Sequence, residues 1–355
     1  MKQTVVLTVD AQQPDIKKVR VAADIIRKGG LVAFPTETVY GLGADALNSK
    51  AVSGLFKAKN RPTDNPPIIH VENINDIHKL AKQVPAKAEK LIKEFWPGPL
   101  TLIFKRSENV PDVTVAGLDT VAIRMPQHAV ALALIKESRC PIAAPSANLA
   151  GKPSPTSAEH VLKDLNGRID AVLDGGPTRI GVESTVLDLS VDPPMVLRPG
   201  GTPLEALKSV LGDVKLHPIV AAEKALAIEN TRSPGMKHKH YAPKAPLFVV
   251  EGHISVVMAA VKSLITSYWL QGKRVGVLAT AETAWAYEAD VVKSLGSRRK
   301  PDAMAANLFR LLREFDEENV DVILSESVST DGLGLAVMNR LRKASGYNIL
   351  KVGQP

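Results

Sequence analysis

Apolar residues between Asp15 and Arg27 recur at Ile16, Val19, Ala23 and Ile26, the spacing of one helix face, and Gly29-Gly30 supplies a stop. "LVAF" then reads as a short buried strand. The segment "PTETVYGLGAD" breaks the periodicity, beginning with Pro35 and carrying Gly41 and Gly43. From Lys50 to Lys59 the pattern turns Val52, Leu55 and Phe56 to one side of a second helix that ends by Pro62, and "PPIIHV" follows as a strand. Further strands are predicted at "LTLIFK", "TVAIRM", "PIAA", "DAVLD", "STVLDLS" and "MVLRP", with helices between several of them. "TPLEALKSVLG" opens with the capping-box pair Thr202 and Glu205. These alternations predict a large mixed α/β domain over residues 1–216.

The texture changes at His217. Prolines, histidines and lysines with little periodic apolar content mark residues 217–246 as a linker that wraps a surface, apart from an alanine-rich piece around Ala221 to Ile228. Beyond it, "PLFVVEG", "RVGVLAT", "ADVVKSLG" and "VDVILSE" alternate with helical stretches, notably Asp302 to Asn319. This predicts a smaller parallel α/β domain of open, doubly wound, Rossmann-like type over residues 247–355. "GLGLA", Gly332 to Ala336, lacks the third glycine and the preceding first strand of a dinucleotide fingerprint, so it reads as a loop and helix start.

Composition narrows the function classes. With 45% hydrophobic and 23% charged residues the chain is globular rather than disordered, and its net charge of +8 permits attraction for phosphates or nucleic acid. The single Cys140 allows no internal disulfide, and the first residues lack the apolar core of a signal peptide. No apolar run reaches the length of a membrane span, so a cytoplasmic location without membrane contact is expected.

Candidate chemistry gathers in loops after strands and helices. Lys57, Lys59 and Arg61 close the second helix. Lysines at a helix end are commonly solvated charges on its negative pole, but Arg61, Lys59 and the Asn65 amide together suit an anion. "AAPSANLAGKPSPTS" leaves an apolar strand at Ala144 and carries Ser146, Asn148, Ser154 and Thr156. It is either a hydrophilic turn capped at Ser157 or a place where short hydroxyls and amides meet phosphate oxygens. Arg124 and Arg198 follow apolar strands, each a surface charge or ion-pair partner when taken alone. The pair His238 and His240 has metal-ligand spacing but no third ligand nearby.

In order along the chain, "FPTETVYGLGADA", "KAKNRPTDNPPIIHV", "WPGPLTLIF", "VAIRMPQH", "APSANLAGKPSPT", "ESTVLDL" and "LRPG" resemble the YrdC/Sua5 family. "SPGMKHKHYAPKAP" with the second domain resembles its long, Sua5-type members. The resemblance implies a YrdC-like twisted mixed-sheet domain around a basic cavity. It also implies a nucleotidyltransferase activity that joins L-threonine, bicarbonate and ATP into threonylcarbamoyl-AMP with release of pyrophosphate. The product would serve N6-threonylcarbamoyladenosine formation at position 37 of tRNA through a tRNA threonylcarbamoyl transferase complex.

Matched residue by residue, the family's Lys-x-Arg and Ser-x-Asn signatures fall on Lys59, Arg61, Ser146 and Asn148, with Lys59 and Arg61 as catalytic groups. Thr36, His70, Arg124, the main chain at Ala144 and Ser184 match the threonine pocket, in which Arg124 would hold the carboxylate. Arg61, Asn65, Thr120, Ser146, Asn148, Ser154, Arg198 and Tyr241 match ATP or adenylate contacts. Whether Lys59 and Asn148 act on the phosphates or the carbamate is left open, as is Tyr40 between cavity wall and packing residue. His238, Lys239 or His240 would add positive potential at the cavity mouth, Mg²⁺ is expected with ATP, and no resident metal or organic cofactor is expected. Fixed cations suffice for displacement at the α-phosphorus without an acyl-enzyme nucleophile. The rival from another class is an RNA-binding protein that uses the basic cavity without catalysis. Weak tRNA binding remains compatible with either, although 4% aromatic residues give little for base stacking.

Overall fold

The structure, a computed structural model, describes residues 3–221 and 240–353. His238, Lys239 and most of the alanine-rich stretch lie outside the described residues. Two compact units divide what is described. One takes residues 3–150 and 154–220, and the other takes 151–153 and 240–353.

The first unit contains β1 (Val5–Thr8), β2 (Val32–Phe34), β3 (Gly41–Asp45), β4 (Ile68–His70), β5 (Leu100–Lys105), β6 (Thr120–Arg124), β7 (Ile142–Ala144), β8 (Ala171–Asp174), β9 (Thr185–Asp188), β10 (Met195–Arg198) and β11 (Lys215–Leu216). Among the described residues they form one sheet of eleven strands in the order β1-β8-β2-β3-β7-β4-β6-β5-β9-β10-β11. The sheet is mixed: β4 runs parallel to β6 but antiparallel to β7, and β5 runs antiparallel to β6 but parallel to β9.

Local chemistry explains the elements. Helix Ile16–Arg27 begins where the Asp15 carboxylate accepts from the Lys17 amide, and it buries Val19, Ala22, Ala23 and Ile26. Helix Ser49–Lys59 starts at an Asn48 cap and stops at Asn60, whose left-handed φ of 52° turns the chain before Pro62. The capping box at Thr202 does not form: helix Leu204–Leu211 starts from Pro203 without a side-chain cap. Thr202 is engaged instead by Thr185, whose Oγ1 donates to its carbonyl at 2.6 Å and accepts from its amide at 3.0 Å.

Two strands of this sheet carry little apolar periodicity. β1 is an edge strand with exposed Val5 and Val6, paired only with β8 among the described residues. β3 consists of "GLGAD", and glycine is required there by close approach. A Cβ on Gly43 would fall 2.8 Å from Ile142 Cγ2 and 2.9 Å from Phe34 Cε1.

The second unit holds β12 (Leu247–Glu251), β13 (Val275–Ala279), β14 (Val291–Ser294), β15 (Val322–Glu326) and β16 (Ile349–Lys351), all parallel in the order β14-β13-β15-β12-β16. Helices Ile254–Leu270, Pro301–Phe315 and Gly334–Ala344 connect them. This is the open parallel α/β arrangement expected from alternating strand and helix signals. "GLGLA" is a loop and helix start.

Candidate functional site

Alternation along the central strands creates the site. Ile69 of β4, Val121 and Ile123 of β6, Leu100, Leu102 and Phe104 of β5 and Leu187 of β9 point into one large apolar core. The intervening residues therefore face the other way: Ile68 and His70, Thr101 and Ile103, and Thr120, Ala122 and Arg124. On that second face Ile68, Ile103 and Ala122 pack with Val186, Leu197 and Ile219, leaving the polar positions around an apolar patch. Thr120 and Arg124 share this face four residues apart, about 13 Å along an extended strand.

At one end of β6 the residues expected for an amino acid come together. Arg124 is buried; its Nε donates to Gly98 O at 3.2 Å and its Nη1 to Thr38 Oγ1 at 3.0 Å, and its Nη2 lies 2.7 Å from the Glu37 carboxylate. Thr36 joins through a 2.8 Å hydrogen bond between its hydroxyl and that of Thr38. His70 stands opposite Arg124 in the β4–β6 register and opposite Ile142 in the β4–β7 register, while Ala144 pairs with Ile68. Burial, reinforced by the Arg124 charge, lowers the His70 pKa to about 3. The imidazole is therefore neutral and can take or give a hydrogen bond without adding positive charge.

Ser184, directly before β9, shares a 2.8 Å hydroxyl hydrogen bond with Thr101 and is clamped by Arg198. The Nε and Nη2 of Arg198 donate to Ser184 O at 3.1 and 3.0 Å. Ser154 donates to the Glu183 carboxylate at 2.7 Å.

The cluster of Lys57, Lys59 and Arg61 separates. Lys57 is exposed, whereas Lys59 is buried, and its Nζ donates to the carbonyls of both Ser146 and Asn148. Lys59 thus binds the Ser-x-Asn loop from beneath, and the Lys59 carbonyl accepts from the Ala150 amide at 3.0 Å. Ser146 Oγ donates to Asn148 Oδ1 at 2.6 Å. Arg61 Nε donates to the Asn65 carbonyl at 3.0 Å, so this arginine orders the turn that carries the buried Asn65 amide. Two sequence motifs separated by more than eighty residues therefore form one cationic turn.

Tyr40 is a packing residue, fully buried with Leu42, Leu55 and Ala147, and its hydroxyl donates to Gly176 O at 2.6 Å. Tyr241 belongs to the second unit, where its ring stacks on Phe309 at 5.1 Å and has the Arg340 guanidinium 5.5 Å from its centroid. Sequence reasoning missed Glu37, Thr38, Thr101 and Glu183. Glu37 and Glu183 lie in "PTET" and "EST", where an acid beside short hydroxyl residues was the available signal.

Known proteins resemble this chain over nearly its whole length. A Sua5/YciO/YrdC family profile, described as telomere recombination, matches residues 24–200, and a profile for the C-terminal domain of threonylcarbamoyl-AMP synthase matches residues 202–346. The chain is 54% identical over 335 residues to a threonylcarbamoyl-AMP synthase of Pyrococcus abyssi, covering 94% of this chain and 96% of the relative. It is 52% identical over 334 residues to one of Bacillus subtilis, covering 93% of each. A crystal structure of P. abyssi Sua5 complexed with L-threonine superposes with a TM-score of 0.94 at 52% identity, covering 99% of this chain and 100% of that one.

Proposed function

Because the chain belongs to the Sua5/YciO/YrdC family in its two-domain form, we propose that it is a threonylcarbamoyl-AMP synthase, a nucleotidyltransferase acting on L-threonine, bicarbonate and ATP. The observation that carries the reading is the polar strand face with Arg124 and His70 at one end and Thr120 at the other. Its span of about 13 Å suits an amino acid at one end and a nucleotide at the other.

In this reading Arg124 receives the threonine carboxylate, with Thr36, Ser184, the Ala144 main chain and neutral His70 supplying uncharged hydrogen-bonding groups. Arg61, Asn65, Thr120, Ser146, Ser154 and Arg198 hold the nucleotide. Lys59 and Asn148 complete the cationic turn. Threonine amine and bicarbonate give a carbamate, a carbamate oxygen attacks the α-phosphorus, and pyrophosphate departs. The buried Lys59 ammonium and the Arg61 guanidinium stabilise the charge gathering on the phosphates by fixed position. Mg²⁺ would accompany ATP, with phosphate oxygens and water supplying most of its shell.

The product passes to a tRNA threonylcarbamoyl transferase, with weak tRNA contact in addition, and the reaction takes place in the cytoplasm. No helix among the described residues is long and apolar enough to cross a membrane. The test is pyrophosphate release from ATP with threonine and bicarbonate supplied together, singly, and with serine in place of threonine. Release that requires both substrates is expected. Release that ignores threonine, or none at all, would overturn the assignment.

A further inference from the structure

Glu37 is the least explained group in the first unit. Its side chain is 2% exposed, yet neither carboxylate oxygen accepts a hydrogen bond. Arg124 Nη2, 2.7 Å away, is buried and donates none. The two charges touch without a hydrogen-bonding geometry, which leaves an open acceptor and an open donor side by side. A buried carboxylate whose oxygens accept no hydrogen bond is unfavourable even beside a countercharge, so such a pair persists where a ligand completes it. What completes both halves is a zwitterion, with a carboxylate for Arg124 and an ammonium for Glu37.

We propose that Glu37 is a catalytic residue that receives the ammonium of the amino acid substrate and takes its proton. The inference deepens the function proposed above and rests on it. The proton passes from the threonine nitrogen to a Glu37 oxygen, and the freed lone pair forms the N–C bond to the bicarbonate carbon. The C–O bond to the departing hydroxide breaks, and that hydroxide leaves as water with a second proton from the nitrogen. The carbamate remains, and Glu37 returns its proton to solvent before the next turnover. Proximity to Arg124 fixes the amino acid by its carboxylate, so the ammonium meets Glu37 and not bulk water.

The charged neighbours of Glu37 are few. Arg124 comes from β6 and is the countercharge at 2.7 Å. His128, before helix Ala129–Ser138, senses the Glu37 charge, and burial holds it below its ordinary value of 6.5. From the segment after β8, Ile180 N donates to Glu37 O at 2.8 Å, while Arg179 is exposed and donates to Gln127 at 3.2 Å. Held below 6.5, His128 stays largely neutral between pH 7 and 9, the window in which the role shows.

Glu37→Gln keeps the shape and an acceptor for Arg124 but cannot take a proton. Threonine-dependent pyrophosphate release at pH 7 is expected to fall about 100-fold, then to recover about tenfold per pH unit towards pH 9 as the free amine becomes available. Wild type and Glu37→Asp should show no such rise. A Glu37→Gln enzyme that matches wild type, or one reduced equally at every pH, would overturn the role; the second result would leave Glu37 as a support for Arg124 only. A wild type without threonine-dependent release would instead overturn the function itself, and this role with it. A measurement on unaltered protein guards against a variant that fails to fold. The threonine analogue with a hydroxyl in place of its amine should compete with threonine at least about tenfold more weakly than L-serine does, and equal competition would overturn the ammonium contact.

Discussion

Two residues show how burial turns ordinary side chains into site chemistry. His70, with its pKa lowered to about 3 by burial and then by Arg124, is neutral in the fold but takes up a proton near 6.5 when unfolded. The unfolded chain therefore binds more protons between these values. Stability from this group is complete above pH 6.5 and is lost as the pH falls towards 3, by up to about 1.4 kcal/mol per pH unit. Chemical denaturation at pH 7 and pH 4.5 should show a weaker acid dependence for His70→Gln than for wild type by that amount, and equal slopes would contradict it. Lys59 has two couplings at once, to the loop it binds and to the phosphates proposed above it. Lys59→Met should lower turnover about 100-fold, and it should also lower stability by about 2 kcal/mol because the Ser146 and Asn148 carbonyls lose their donor. Paired kinetics and urea titration would separate the two effects, and a stable but inactive variant would mean the loop does not depend on Lys59.

At the scale of elements, the site depends on strands crossing closely enough to place their ends. The chain after β10 passes β9 so tightly that a Cβ on Gly200 would lie 2.2 Å from Glu183 O and 2.4 Å from Ser184 C. Those backbone atoms cannot move without shifting Ser184, which Arg198 clamps. Gly200→Ala should therefore destabilise the protein by about 1–3 kcal/mol and raise the KM for threonine, read by thermal unfolding and steady-state kinetics. Unchanged values would show that β9 and β10 can separate at no penalty to the pocket. The strands with apolar alternation, β5 and β6 above all, were legible in the sequence because one face enters a large core. β3 was not, because its glycines answer to the side chains of Phe34 and Ile142 across the sheet. The expected cap at Thr202 failed for a similar reason, since Thr185 from a distant strand competes for the same groups.

At the scale of the molecule, each unit rests on its own core and its own buried charges. In the second unit the Glu326 carboxylate is fully buried at the end of β15. It accepts from Thr280, Thr283 and Tyr287, with Arg298 Nη2 at 2.9 Å as its countercharge. Burial, reinforced by Glu326, raises the Tyr287 pKa, so its hydroxyl stays a donor. Arg298→Met should destabilise this unit by about 3 kcal/mol, measured as lost hydrogen-exchange protection in β13 and β15; full protection would mean the hydroxyls alone suffice. The sequence by itself determined the alternation of strands and helices, the two-part organisation and the motifs from which the family and most candidate residues were read, because these are local patterns of apolar spacing and residue type. Only the tertiary structure decided which of the clustered cations is buried, that Tyr40 packs, that His70 is neutral, and that Glu37 faces Arg124 with its hydrogen-bonding capacity open. Charge state and partnership depend on how much water and which distant groups surround an atom, and that is settled only when strands far apart in the chain come together.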